Sequence, residues 1–440
     1  MKKRILLLAV LALTASLCAG CAMRTVEEMY VPPKRSEEYN HLQSAIDSAM
    51  TGLTYCAPIS GENQQTVQRA DLDGDGVEEY LVFAKGNSEK PLQVLIFRQE
   101  EDGSCVLMET IEGNGAAFEQ IEYVDFDEKP GCELVIGRQV SDQVLRNVSV
   151  YTFSGGSAEL LLQVGYTKFL TCDLDENGRK ELMVLRPGEG ETERGMAVLY
   201  SAGNGQVERS VETELSAEPS RIRRIRTGKL QDDVPAVFVA SSAEEGAIVT
   251  DVFALRNGSF TNISFSSEAE TSIMTLRNFY VYAEDIDEDG ILELPSLIAM
   301  KPVSQWRDGA QKFLLRWFSM DSGGRAWDKI YTFHYYMGGW YVQLGGSWAK
   351  RVSVEQTEGT YAFYVWDESY QEAARLFTIY VFTGSSRDED AVRDGRFALY
   401  RTEGVAYAAS LEEYALLYGI TEDYLINSFR QIRQDWRTGE

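Results

Sequence analysis

The sequence predicts a mainly β repeat array followed by a small α+β domain, and three observations predict it. An acidic loop recurs along the chain at intervals of about fifty residues. Each copy leads into a short apolar run rich in Val, Ile, Leu, Tyr and Phe, then a second such run bounded by turn residues. Beyond residue 345 the acidic loop stops, alternating strands continue, and apolar residues at helical spacing follow. The chain has 440 residues, 44% hydrophobic and 25% charged, a normal globular composition too long for one ordinary core.

Lys2, Lys3 and Arg4 precede an apolar stretch from Ile5 to Leu17, and Cys18-Ala19-Gly20-Cys21 follows. A basic start, a short apolar core and small residues before a cut make a secretory signal peptide, too short to span a bilayer. The segment resembles a bacterial lipobox, which implies lipidation at Cys21 and anchoring to the outer face of the cytoplasmic membrane or another envelope membrane. Cys18 stands where that pattern usually has Leu. Removing residues 1–20 leaves 39 basic against 68 acidic residues, so the charge goes from −26 to −29. Such a surface repels nucleic acid and anionic headgroups and suits the collection of cations. Cys56, Cys105, Cys132 and Cys172 remain. Export permits disulfides among them in any of three full pairings. With no CxxC among them and only His41 and His334, a Cys/His zinc site is not expected.

Residues 21–55 read as a lipidated tether with Pro32-Pro33, then a short helix over 36–50 carrying Tyr39, Leu42, Ile46 and Met50 on one face. The repeats fill 56–345. Their loops begin at Asp71, Asp125, Asp173 and Asp285, at intervals of 54, 48 and 112 residues. The last interval spans two periods and points to a degenerate copy near residue 229. There the apolar strand survives and the acidic ladder is lost. About fifty residues hold four short strands, the content of one propeller blade.

The pattern Asp-x-Asp-x-Asp-Gly-x-x-Glu-Leu, repeated in register, resembles the FG-GAP/VCBS repeats of integrin-type β-propellers over roughly residues 60–350. The resemblance implies blades around a central axis, five or more of them, with calcium in the loop between the first two strands of a blade.

Calcium takes six to eight hard oxygen ligands on a tightly curved loop. By that test the first loop is competent through Asp71, Asp73, Asp75 and Glu79, with Gly76 at the turn. The third offers Asp173, Asp175, Asn177 and Glu181, one charge fewer, and the fifth offers Asp285, Asp287, Asp289 and Glu293. The second places Lys129 and Pro130 where a ligand and a glycine belong, so it is expected to be empty or weak. Turns alone need one or two such residues. A ladder of carboxylates repels itself without a cation, so Ca2+ is expected to stiffen the blades structurally.

No nucleophile elbow, zinc-protease motif, phosphate loop or dinucleotide fingerprint occurs. His334 reads as a strand residue with an ordinary partner. Trp306, Trp317, Trp327, Trp340 and Trp348 read as packing residues, since aromatics dominate buried area. The last segment, 346–440, is expected to be an α+β domain. In it Ser410 to Glu413 would start one helix, Gly419 would stop it, and Leu425, Phe429, Ile432 and Trp436 would form the apolar face of another. The functional expectation is a non-enzymatic binding or scaffold module whose partner is an envelope protein or glycan. The alternative is a glycosidase or lyase with an acidic site at the propeller mouth.

Overall fold

The computed structural model describes residues 37–434 apart from 128, 141–145, 155, 189–193, 204–205, 304–310, 368 and 370, together with 436. The signal peptide, Cys21, the tether up to residue 36, and Trp306 lie outside the described residues.

The protein is mainly β, and the described residues form six antiparallel sheets that follow one another along the chain. The second sheet shows the plan: Ala117–Val124, Glu133–Gln139, Arg146–Ser154 and Ser157–Tyr166 pair in sequence order as a meander. The third begins with Lys168–Cys172 and Glu181–Pro187, and the fourth with Ile222–Lys229 and Pro235–Ser242. In the first sheet both Thr54–Tyr55 and Val67–Ala70 pair with Glu79–Lys85. Central strands are apolar on both faces, as Pro235–Ser242 shows with six consecutive buried residues. That pattern belongs to sheets covered on both sides.

The apolar faces stack in chain order. Phe83 and Ile96 of the first sheet meet Phe118 and Ile136 of the second, where Phe83 and Phe118 lie edge to face at 5.1 Å. Val135 and Val150 meet Val184 and Val198. Met183 and Leu199 meet Val237 and Phe253. Phe238 and Val252 meet Phe318 and Met320, and Trp340 meets Phe363 and Phe377 across the fifth and sixth sheets. Helices cover the two end faces. Glu37–Ala49, the helix expected near 36–50, lays Leu42 and Ile46 on Val82, Leu95 and Phe97 of the first sheet. Ala391, beside the short helix Arg387–Asp390, packs on Ala406 and Ala408 of the sixth. Among the described residues no apolar cluster joins the first sheet to the sixth.

The region expected to form a separate α+β domain carries the sixth sheet and shares its core with the fifth. Phe429–Gln431 returns to pair with Trp340–Leu344, adding a fifth strand to that earlier sheet. The helical readings shift accordingly. Ser410 is a strand residue paired with Thr378, so its hydroxyl starts no helix. A 3-10 helix occupies Glu413–Tyr418 and ends at Gly419, whose φ of 71° is the left-handed stop expected there. The α-helix is Glu422–Ser428, capped by Thr421. Leu425 and Phe429 enter the core between fifth and sixth sheets, while Ile432 and Trp436 enter the one between fourth and fifth. Their 4-3-4 spacing marks two cores served by one stretch of chain.

Phe279 to Ala283, just before the fifth loop, is irregular although Val281, Tyr282 and Ala283 are buried. The Arg277 guanidinium donates to the Val281 carbonyl at 2.5 Å, taking an acceptor a strand neighbour would use. Trp317, Trp340 and Trp348 are core residues as expected, whereas Trp327 is 40% exposed beneath Arg325.

Neighbouring repeats touch through their loops. A Cβ on Gly131 would lie 2.3 Å from the Leu72 carbonyl oxygen, and the residue has φ +100°. Gly52 has φ +80° with nothing within 4 Å. Gly131→Ala is therefore expected to cost about 3 kcal/mol or more, and Gly52→Ala only about 1 kcal/mol for its backbone conformation. Urea unfolding of the two variants measures the difference.

Candidate metal centres in the acidic loops

In the second and third sheets the acidic loop joins the first strand to the second, where it was expected; in the first sheet it joins Val67–Ala70 to Glu79–Lys85, and Thr54–Tyr55 comes before both. In the fifth the preceding strand is reduced to a single antiparallel bridge, Glu284 to Glu293. The loop in every intact copy is set by its ninth residue. Glu79 is fully buried, and its Oε2 accepts the amide of Leu72 at 2.9 Å. Glu133 takes the Phe126 amide at 2.8 Å, Glu181 that of Leu174 at 2.7 Å, and Glu293 that of Ile286 at 3.1 Å. The second residue of each loop, Leu72, Phe126, Leu174 or Ile286, is itself buried. One apolar side chain and one carboxylate thus pin the loop from below.

The first residue closes the loop from within. Asp71 accepts the amides of Gly74 and Gly76 at 2.8 and 3.0 Å. Asp173 accepts that of Gly178 at 3.0 Å, and Asp285 those of Asp289 and Gly290, both at 2.9 Å. The glycine at position six has φ of 88–89° in all three loops, the left-handed turn that glycine permits.

Three groups of carboxylates result, each with ligand oxygens within 4.8 Å of one another and able to hold a metal ion: Asp71, Asp73 and Glu79; Asp173, Asp175 and Glu181; Asp285, Asp287 and Asp289. Asp75 and Asn177 stand apart as turn residues, accepting the amides of Val77 and Arg179, both at 2.7 Å. Glu293 lies at the base of its loop outside the tight trio. Two further observations show that these loops are incomplete by themselves. Glu79 Oε1 and Glu293 Oε1, on fully buried side chains, have no hydrogen-bond partner, and neither does the buried Asp173 Oδ1. Buried carboxylate oxygens without donors are costly unless a cation meets them.

Burial pushes the Glu79 carboxyl above its ordinary range; the Leu72 amide opposes the shift, and Asp73 and Asp75 add to it. For the same reasons Glu181 is raised to about 7 and Glu293 to about 8.

Countercharges distinguish the copies. In the second loop Lys129 Nζ lies 3.6 Å from Asp127, so the residue expected to spoil the site supplies an internal cation. Lys329, forty residues from the fifth loop in sequence, donates to Asp289. Nothing near the motif announced it; strand pairing brings it there. Asp289 is held below the usual carboxylate range although burial opposes this, because Lys329 and the Ile291 amide favour its ionised form. The degenerate fourth copy has no such trio; Lys229 pairs with Asp233 at 2.9 Å instead.

The loops also touch each other in a repeated way. The amide of position eight in one loop donates to the carbonyl of position one in the preceding loop: Cys132 to Asp71 at 3.1 Å, Lys180 to Asp125 at 2.7 Å, and Leu292 to Lys229 at 3.1 Å. Among the described residues Cys56, Cys105, Cys132 and Cys172 form no disulfide with one another. His334 accepts its ordinary role, with Nε2 2.8 Å from the Thr332 hydroxyl and its ring stacked on Tyr341. Among the described residues no helix is long and apolar enough to cross a membrane.

No family model matches this chain, and no curated protein sequence matches it. Solved structures with local likeness include the exotype rhamnogalacturonan lyase YesX, at 13% identity and a TM-score of 0.29, covering 74% of this chain and 65% of that one. Another is Chaetomium thermophilum Sqt1 bound to the N-terminus of a ribosomal protein, at 9% identity and 0.29, covering 77% and 92%. A Bacillus licheniformis rhamnogalacturonan lyase matches at 13% identity and 0.26, covering 73% and 72%. The chain thus spans less than two thirds of the first of these. Scores this low do not define a shared fold.

Two outcomes follow from the geometry. A carboxylate whose folded pKa is raised stabilises the fold below its unfolded value, near 4.3, and loses that contribution as pH rises through the folded value. The chelated protein is therefore expected to melt several degrees lower at pH 9 than at pH 6, across the range set by Glu181 and Glu293. Scanning calorimetry in chelator checks this, and an added cation should flatten the dependence. Separately, Lys329→Met removes the ammonium that competes for the fifth loop. Its cation affinity should rise about tenfold, close to 1.4 kcal/mol, by titration calorimetry.

Proposed function

We propose that this chain is a calcium-stabilised, propeller-like module that works by binding, held at the cell envelope through a lipid on Cys21. The observation that carries the metal part is the repeated loop whose buried ninth-position glutamate keeps an oxygen without a donor beside two or three further carboxylates. Calcium suits it better than magnesium, because several carboxylate and carbonyl oxygens converge on a flexible loop and strict octahedral geometry is not enforced. The six-sheet meander plan, with each sheet packed on the next, supports a propeller-like reading of the FG-GAP/VCBS type. The ion's role is structural at the first and fifth loops. It neutralises the buried glutamate and locks the row of loops that connects successive sheets.

A rigid, strongly acidic array on a lipid tether presents a large surface outside the membrane. Its partner is an envelope protein or glycan, and nucleic acid is excluded by charge repulsion.

Thermal unfolding with and without calcium tests the proposal. At 1 mM calcium, about a hundredfold above a ten-micromolar Kd, each occupied site adds about 2.7 kcal/mol and should raise the melting temperature by several degrees. Equal melting in chelator and in millimolar calcium would sink the metal reading. Recovery of Cys21→Ser in the membrane fraction at the level of the unsubstituted chain would sink the anchor.

A further inference from the structure

The row of loops has one break, and a cleft opens there. Amide-to-carbonyl contacts join the first loop to the second, the second to the third, and the fourth to the fifth. Among the described residues none joins the third to the fourth. The fourth turn is short, closed by the Leu230 amide on the Val234 carbonyl at 2.9 Å with Asp233 at φ 64°. Next to it, between the third and fourth sheets, lies a cleft of about 750 Å³. That volume is in the range of small-molecule sites.

The third loop forms one wall of this cleft. Asp175, Glu176 and Glu181 line it. Glu181 is 3% exposed. Its Oε2 accepts the Leu174 amide at 2.7 Å. Asp173 Oδ1, in the same carboxylate group, is buried without a partner. Two of the three candidate ligands, Asp175 and Glu181, therefore border a space large enough for a ligand, and Asp173 sits beside them in the same group.

We propose that a cation held by Asp173, Asp175 and Glu181 keeps coordination positions open to this cleft, and that the cleft takes a neutral, hydroxyl-rich ligand of the saccharide class whose oxygens complete the ion's sphere. The inference rests on the cation reading above and adds to it a ligand and a place. Three features select the ligand. The group supplies three carboxylates against the six to eight oxygens calcium takes, so the ion needs oxygens from outside it. Glu176, Glu208, Asp232 and Asp233 border the cleft and repel carboxylate ligands, even with Lys229 lying 3.5 Å from Glu176 and 2.9 Å from Asp233. Ser201 and Arg209 also line the cleft and carry donors for hydroxyl oxygens.

Terbium luminescence on the full chain tests this. One variant keeps only the third loop (Asp71→Asn with Asp285→Asn) and another only the first (Asp173→Asn with Asp285→Asn), each checked by circular dichroism. Lifetimes in water and heavy water count the waters on the ion. The third loop is expected to hold about two more waters than the first, because part of its ion's sphere is left to solvent. Millimolar D-mannose or D-galactose should displace them and tighten terbium binding several-fold, and malonate should not. Val211→Trp, at a cleft residue 81% exposed and away from the ligands, should leave terbium binding intact and abolish the sugar effect. Equal water counts in the two loops, or a count unmoved by either sugar, overturn the proposal. So does displacement by malonate alone, or binding of a lysine-rich peptide in chelator with no sugar effect. Terbium silent at both loops defeats the underlying cation reading instead, which separates the two failures.

Discussion

A carboxylate buried beneath a turn is the constraint on which the rest of this structure depends. Glu79, Glu133, Glu181 and Glu293 each sit at the foot of a loop with at most 3% of their surface exposed. Each holds the backbone amide seven residues earlier, or the equivalent position, and thereby sets the curvature of the whole turn. Burying a charge is costly unless it is paired. Countercharges beside these loops differ between repeats. The second loop places Lys129 3.6 Å from Asp127, and in the fifth Lys329 pairs with Asp289 and favours the ionised form of Glu293. The first has no lysine in its carboxylate group, which makes it the plainest case for an external ion. A single structural problem, solved several ways along one chain, explains why the loops diverge in sequence while the strands around them do not change type.

The loops matter beyond themselves because their backbones are the contacts between sheets at that edge. A position-one carbonyl meets a position-eight amide of the next repeat in three of the four junctions between successive loops. Both atoms are placed by the buried glutamate and by the apolar second residue. Loop order therefore feeds into sheet spacing, and an ion that stiffens one loop also stiffens the junction beside it. At the stack ends a helix and a short turn of helix cover apolar faces that a further sheet would otherwise bury. Terminal capping of this sort is what a stacked repeat requires, since each unit buries its face only against a neighbour.

Much of this was legible in the sequence for a definite reason. Asp, Gly and Glu at fixed offsets report a turn, and Val/Ile/Leu runs after them report covered strands, so the position of every loop and most central strands could be read. The first helix was legible from Leu42 and Ile46. What could not be read were the features set by long-range pairing. The sixth sheet has no acidic loop, so a search by period stops at residue 345 and assigns its strands to another domain. Phe429 to Gln431 join a sheet formed about ninety residues earlier, and no local pattern distinguishes that from the end of a helix. Arg277, which bonds the Val281 carbonyl in the irregular segment before the fifth loop, and Lys329, whose ammonium enters the fifth loop, act on segments that their own neighbourhoods do not identify.

The degenerate fourth repeat shows which parts of the motif are separable. It has lost the acids and the buried glutamate, yet Leu230 is fully buried at the second position and Pro235–Ser242 is as apolar as any central strand. Its junction with the fifth loop survives through Lys229 and Leu292. Its junction with the third does not. The apolar second residue is therefore enough to seat a turn, while the acidic ladder governs how closely the turn approaches its predecessor. Where the ladder is missing, the Lys229–Glu176 ion pair at 3.5 Å stands in place of the backbone bond, and the space beside it borders carboxylates that the third loop still carries. A repeat that gives up its own ion site in this way does not weaken the stack, because the cores on either side remain continuous. It leaves Asp175 and Glu181 of the neighbouring carboxylate group at the border of a cleft instead.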